Sequence, residues 1–228
     1  MSIRTNIGQV RDKIGKAAQR SGRDASAVTL IAVTKTHEEE AMREAVDAGI
    51  TDIGENKAQE VRQKYPLLQR DVHWHFIGHL QRNKVKYVID KVAMIHSVDS
   101  LSLAREISKR AERLDRVMPA LVEVNVSGEK SKHGLVPDDV RSFLEEVKDL
   151  PGIRFQGLMT MAPYVEDPEQ TRPVFRALRE LQETLLSQGY QLEVLSMGMT
   201  NDFEVAVEEG ATHVRVGTAI FGVRDYNQ

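Results

Sequence analysis

The sequence predicts a single-domain (β/α)8 TIM barrel with one extra helix ahead of its first strand. Three observations predict it. The stretch Val28-Thr-Leu-Ile-Ala-Val33, which runs on to Lys35, is almost continuously β-branched or leucine, the pattern of a strand buried on both faces of a parallel sheet. Further short apolar strands alternate with amphipathic helical segments, which implies right-handed crossovers and a parallel sheet, and the count of strand–helix units reaches eight. The 228 residues contain no linker, composition shift or low-complexity stretch, so residues 1–228 read as one barrel-sized domain. An open doubly wound sheet is the competing architecture, but no Gly-x-Gly-x-x-Gly follows the first strand.

The elements follow in order. Ile3, Ile7, Val10, Ile14 and Ala17 recur at helical spacing, and Ser21-Gly22 ends that helix before the first strand. A helix over Glu38–Ala48, closed by Gly49, precedes a strand at Thr51–Glu55. Asn56-Lys57 opens a helix with Ala58, Val61 and Tyr65. The third strand is His73–His79 and the fourth Val92–Ser97, with a helix over Arg82–Lys91 between them. Asp99-Ser100 is the expected N-cap of the helix carrying Leu103, Ile107 and Leu114. Pro119–Val126 is the fifth strand, and a polar loop, Ser127–Gly134, leads to a helix through Val140, Phe143 and Val147. Ile153–Met161 is the sixth strand, followed by a helix through Phe175, Leu178 and Leu185. Leu192–Met197 is the seventh, Thr200–Glu209 a short helix, and Thr212–Gly217 the eighth strand.

Composition excludes several functions. A net charge of -3 without basic arms or stripes argues against a nucleic-acid partner. The absence of cysteine rules out disulfides, thiolate metal sites and cysteine nucleophiles. No apolar h-region opens the chain, the second residue is Ser2 rather than glycine, and no apolar run is long enough to span a bilayer. The expected address is therefore the cytoplasm, with no membrane partner.

In a barrel the ligand site is the ring of residues just past the strands' C-terminal ends. Lys35 stands there after the first strand, as a solvated strand end or as an amine nucleophile of the Schiff-base type. After the seventh strand, Ser196-Met197-Gly198-Met199-Thr200 offers hydroxyls and a glycine before a helix. After the eighth, Gly217-Thr218 offers another pair. Loops seven and eight form this fold's recurrent phosphate site, the alternative being an N-cap plus an ordinary turn. Arg215 alternates with Val214 and Val216, so if the valines meet the outer helices it points into the barrel. It would there pair with Glu123 or Glu193, or donate to a bound heteroaromatic nitrogen. His73 and His75 share a strand face, but with no third ligand in view no metal site is expected. The loop Gly128–Gly134 lacks the P-loop spacing and reads as a lid or solvated loop whose Lys130 and Lys132 could attract an anion.

Taken together, Ala32-Val-Thr-Lys35, Gly54-Glu-Asn-Lys57, His75-Phe-Ile-Gly-His-Leu-Gln-Arg-Asn-Lys84, His96-Ser-Val-Asp99, Lys132-His-Gly134, Gly157-Leu-Met-Thr-Met161, Ser196-Met-Gly-Met199 and Arg215-Val-Gly-Thr218 closely resemble the pyridoxal 5'-phosphate (PLP) homeostasis proteins, whose barrel is similar to the N-terminal domain of alanine racemase. The resemblance covers nearly the whole chain. It implies that Lys35 holds PLP as a covalent aldimine. It further implies that Ser196, Met197 (through its backbone), Gly217 and Thr218 hold the phosphate with Thr200 nearby, that Arg215 faces the pyridine nitrogen, and that Asn56 lies beside the ring. It also implies a cytoplasmic, mostly monomeric protein that serves vitamin B6 and amino-acid balance without robust catalysis, passing PLP to amines or to PLP-accepting apo-enzymes. Racemases of similar design add a β-domain that brings a tyrosine, and none is expected here after the eighth strand; Tyr164 is the available substitute, although a loop tyrosine is more often surface or packing. A weak PLP-dependent amino-acid racemase is therefore the alternative, and a cofactor-free Schiff-base aldolase a third reading.

Overall fold

A computed structural model describes residues 2–68, 72–129 and 132–222. Eight parallel strands close into a barrel in sequence order. They are β1 (Thr29–Val33), β2 (Asp52–Glu55), β3 (His73–Phe76), β4 (Met94–Val98), β5 (Met118–Glu123), β6 (Ile153–Met159), β7 (Val194–Ser196) and β8 (His213–Val216). Closure is made by β8 against β1, with Ile31 opposite Arg215 and Ala32 opposite Val216.

The helices are α1 (Ile3–Arg20), α2 (Glu39–Asp47), α3 (Ala58–Lys64), α4 (Leu101–Glu112), α5 (Val140–Val147), α6 (Arg172–Ser187), α7 (Phe203–Glu208) and α8 (Thr218–Phe221). They form the outer layer, and the main apolar core lies between them and the strands' outward residues, such as Ala32, Ile53, Trp74, Ile95, Leu195, Val214 and Val216. Burying such residues contributes about 1.5–3 kcal/mol each. A second, small cluster of Met94, Leu121 and Met159 packs separately from it. These three alternate with outward residues on β4, β5 and β6 and so fill the barrel interior.

Several expected strands are shorter than their apolar runs. β1 ends at Val33, β3 at Phe76 and β6 at Met159, each with one further backbone bond to the neighbouring strand, from the Thr34, Ile77 and Thr160 amides, before the chain turns into the mouth. The expected helix over Arg82–Lys91 is a 3-10 helix over Arg82–Tyr87, and Val85 within it and Val88 and Ile89 just past it are all buried, so the expected apolar face is kept in a tighter winding. Ser100 occupies the N-cap of α4, yet its side chain makes no capping bond. The expected helix from Thr200 starts at Phe203, because Met199–Asp202 forms a turn in which Asp202 Oδ1 accepts from the Met199 amide at 2.6 Å.

The extra N-terminal helix is part of the wall. α8 is a single turn, and α1 packs against it as well as against α2 and α7. Ile7, Val10, Ile14, Ala17 and Ala18 are buried there, and Asn6 donates to the Ile220 carbonyl at 2.8 Å. No helix among the described residues is long and apolar enough to cross a membrane.

Candidate functional site

The mouth of the barrel holds a cavity of about 430 Å³ whose lining includes Lys35, Asn56, Thr200, Arg215, Gly217 and Thr218. Six of the eight residues singled out in the sequence thus meet at one place. The other two, Ser196 and Met197, are fully buried behind the wall: the Met197 amide donates to the His213 carbonyl at 3.1 Å, and Ser196 Oγ points into the barrel.

Each wall has a local cause. Lys35 follows β1 with its side chain exposed at the rim, and Thr36 after it adopts a φ of 62°, a left-handed conformation unusual for a β-branched residue. That turn is held by the Thr36 amide on Glu60 Oε2 at 2.6 Å and by Thr36 Oγ1 on the Lys35 carbonyl at 2.6 Å. Beneath it, Lys64 donates to the Thr34 carbonyl, Glu55 Oε1 and Glu60 Oε2 at 2.8, 2.8 and 2.9 Å. Asn56 is fixed by contact with β3's end: a Cβ on Gly78 would lie 2.3 Å from the Asn56 carbonyl oxygen, so only glycine fits. Gly198 has a φ of 92°, and a Cβ there would meet Ala206 Cβ at 2.6 Å, so the loop after β7 lies tight on α7. Thr200 Oγ1 accepts from the Ala219 amide at 3.4 Å, which joins the seventh loop to the first turn of α8.

Arg215 is the inward residue the alternation predicts, since Val214 and Val216 lie in the outer core. It donates to Ser196 Oγ at 2.6 Å and to the Thr160 carbonyl at 3.0 Å, rather than pairing with Glu123 or Glu193. Burial lowers its pKa to about 10, so it stays charged at neutral pH. Glu123 shares the inward face of β5 with Leu121. Its Oε2 is buried without a hydrogen-bond partner, and burial, reinforced by Asp99, pushes its pKa up to about 7. From sequence, Glu123 stands out only as a candidate partner for Arg215; its signal is one carboxylate inside an apolar strand.

The histidines are used differently from the metal spacing considered above. His75 bonds through one ring nitrogen to Asp52 and through the other to His96, while exposed His73 lies 3.4 Å from the same Asp52 oxygen. His79 and His133 bring ring nitrogens near Asp99, but the two rings stack at 3.8 Å and 14°, so their in-plane lone pairs do not converge on one point. In the loop after β5, Asn125 accepts from the Gly128 amide and donates to the Glu129 carbonyl, and Lys132 pairs with Glu129 at 3.0 Å. Lys130 lies outside the described residues.

The family model for the N-terminal domain of alanine racemase matches residues 5–225. A pyridoxal phosphate homeostasis protein of Aquifex aeolicus is 46% identical over 99% of this chain and 100% of its own length. This chain belongs to the pyridoxal phosphate homeostasis protein family. The Escherichia coli member is 38% identical over 99% of this chain and 98% of its own. A solved structure of PipY from Synechococcus elongatus with PLP bound is 34% identical, with a TM-score of 0.84 over 97% of this chain and 100% of that one. Alanine racemase of Clostridium difficile shares the barrel alone, at 14% identity and a TM-score of 0.77, and this chain covers 57% of it.

The cavity's donor set suits PLP. It combines one amine at the rim, one guanidinium in the inner wall, and two threonine hydroxyls, one in the tight loop after β7 and one next to Gly217 after β8.

Proposed function

We propose that this protein binds PLP in the barrel mouth, holds it covalently through Lys35, and acts in intracellular PLP and amino-acid homeostasis. The observation that carries the reading is the meeting of Lys35 and Arg215 in one cavity with Thr200 and Thr218. The names of its relatives, and the PLP in the PipY structure, support it. PLP when bound supplies an electrophilic aldehyde on an electron-withdrawing ring.

The chain's own groups divide the work. Lys35 offers the amine. Thr200, Thr218 and the Gly217 backbone face the phosphate, whose charge suits hydroxyl and amide donors. Asn56 flanks the ring. Arg215 is only a donor, so a ring nitrogen facing it stays unprotonated and the ring withdraws electrons weakly. This fits a carrier that gives PLP to amines or apo-enzymes in the cytoplasm, working as a monomer. The racemase alternative would rest on Tyr164, which lines the rim of the same cavity but is 85% exposed and so held by little packing.

The test is borohydride reduction of PLP-loaded protein followed by peptide mapping. The reduced tag is expected on Lys35, and Lys35→Ala is expected to abolish the visible absorbance while circular dichroism is unchanged. A tag on another lysine, or full absorbance in Lys35→Ala, overturns the assignment.

A further inference from the structure

A line of side-chain hydrogen bonds crosses the barrel interior from the mouth to its floor. Arg215 Nη1 lies 2.6 Å from Ser196 Oγ, which lies 2.8 Å from His96 Nδ1. His96 Nε2 lies 2.9 Å from His75 Nδ1, and His75 Nε2 lies 2.9 Å from Asp52 Oδ1. Asp52 opens β2 at the opposite end from Lys35 and lines a second cavity there with Thr29 and Thr51.

The chemistry of the two ends gives the line one direction. The Asp52 carboxylate can only accept, so a neutral His75 donates to it from Nε2 and accepts at Nδ1; the Arg215 guanidinium can only donate, which leaves the Ser196 proton free for His96 Nδ1. His96 is fully buried beside that cation, so it is neutral and carries its single proton on Nε2. It therefore donates to His75 Nδ1, and His75 in turn donates from Nε2 to the Asp52 carboxylate. Every member is paired. Part of the same interior is filled by Met94, Leu121 and Met159, so apolar packing was available there and core stability alone does not call for four polar side chains behind Arg215.

We propose that Ser196, His96, His75 and Asp52 are positioning residues that fix the place and donor orientation of Arg215 under the ligand, and that the Ser196 hydroxyl serves this line rather than the phosphate. This inference rests on the reading that the ring of PLP faces Arg215, and it redefines Ser196 within that site.

Two measurements test it. In the ligand-free protein, nitrogen-15 NMR of the histidine side chains is expected to show His96 and His75 both protonated on Nε2, with the His96 resonances shifting in Ser196→Ala; a proton on His96 Nδ1 overturns the direction of the line. In the loaded state, PLP is compared with pyridoxal, which lacks the phosphate. Ser196→Ala is expected to weaken both by the same factor, about tenfold for a bond to a charged group, whereas Thr218→Ala weakens PLP alone. A loss confined to PLP in Ser196→Ala returns that hydroxyl to the phosphate and overturns the proposal. His96→Gln, which can still accept from Ser196 and donate to His75, is expected to retain pyridoxal, and His96→Leu to lose it. Equal retention by the two variants also overturns the proposal. Failure of the wild-type protein to take up either compound would instead refute the PLP reading itself, while the NMR result would still stand or fall alone.

Discussion

Glu123 holds a carboxyl inside the barrel with one oxygen unpartnered, and its pKa of about 7 lies above the ordinary 4.5 because burial penalises the anion. Between those two values the folded chain binds more protons at this site than the unfolded chain. Stability at this site is therefore greatest at low pH and falls as pH rises from about 4.5 to about 7. Over that range the decline amounts to about 3 kcal/mol. Thermal unfolding of Glu123→Gln across pH 5 to 8 is expected to lack this decline, so the variant gains on the wild type as pH rises; parallel curves would refute the shift. Little of this was legible in the sequence. Lys35 and Arg215 could be found there, because one follows a fully apolar strand and the other alternates with valines. Ser196 is assigned to the phosphate only through the family resemblance, since a hydroxyl beside a glycine turn reads the same whether it faces a phosphate or the barrel interior. Only the distance to Arg215 separates the two.

At the scale of elements, the end of β1 depends on α3. Lys64 reaches from that helix to the Thr34 carbonyl and to Glu55, whose side chain is fully buried. Removing the ammonium leaves a buried carboxyl without its counter-charge, a loss of about 3 kcal/mol or more. Lys64→Met is expected to lower the unfolding free energy in urea by that amount, and Glu55→Gln in the same background to restore part of it; equal stability of Lys64→Met and wild type would show the pair to be idle. The order of these elements was readable from periodicity, but their lengths were not. Strand ends at Val33, Phe76 and Met159 fall where the chain turns into the mouth within an apolar run, and no local pattern records that.

The whole barrel needs its first helix. With α8 only one turn long, the outer face between β8 and β1 is covered by α1, which also reaches α7 through Arg20 on Glu208 at 2.6 Å. Ile7 is 1% exposed in that seam. Ile7→Ala is expected to cost about 2–5 kcal/mol in urea unfolding, with a single transition, because the helix belongs to the same cooperative unit. A separate early transition would mark α1 as an appendage. The amphipathic pattern announced the helix clearly, yet only the brevity of α8 shows why the fold requires it.

The left-handed Thr36 beside Lys35 brings robustness and grip into conflict. Thr36→Gly removes a strain of about 1–2 kcal/mol and regains more than the glycine's own entropic cost of about 0.5–1 kcal/mol, so the melting temperature is expected to rise slightly. The same change loosens the hinge that aims the amine, and PLP is expected to escape faster from the sturdier protein. Selection for heat resistance at this position would therefore act against vitamin retention.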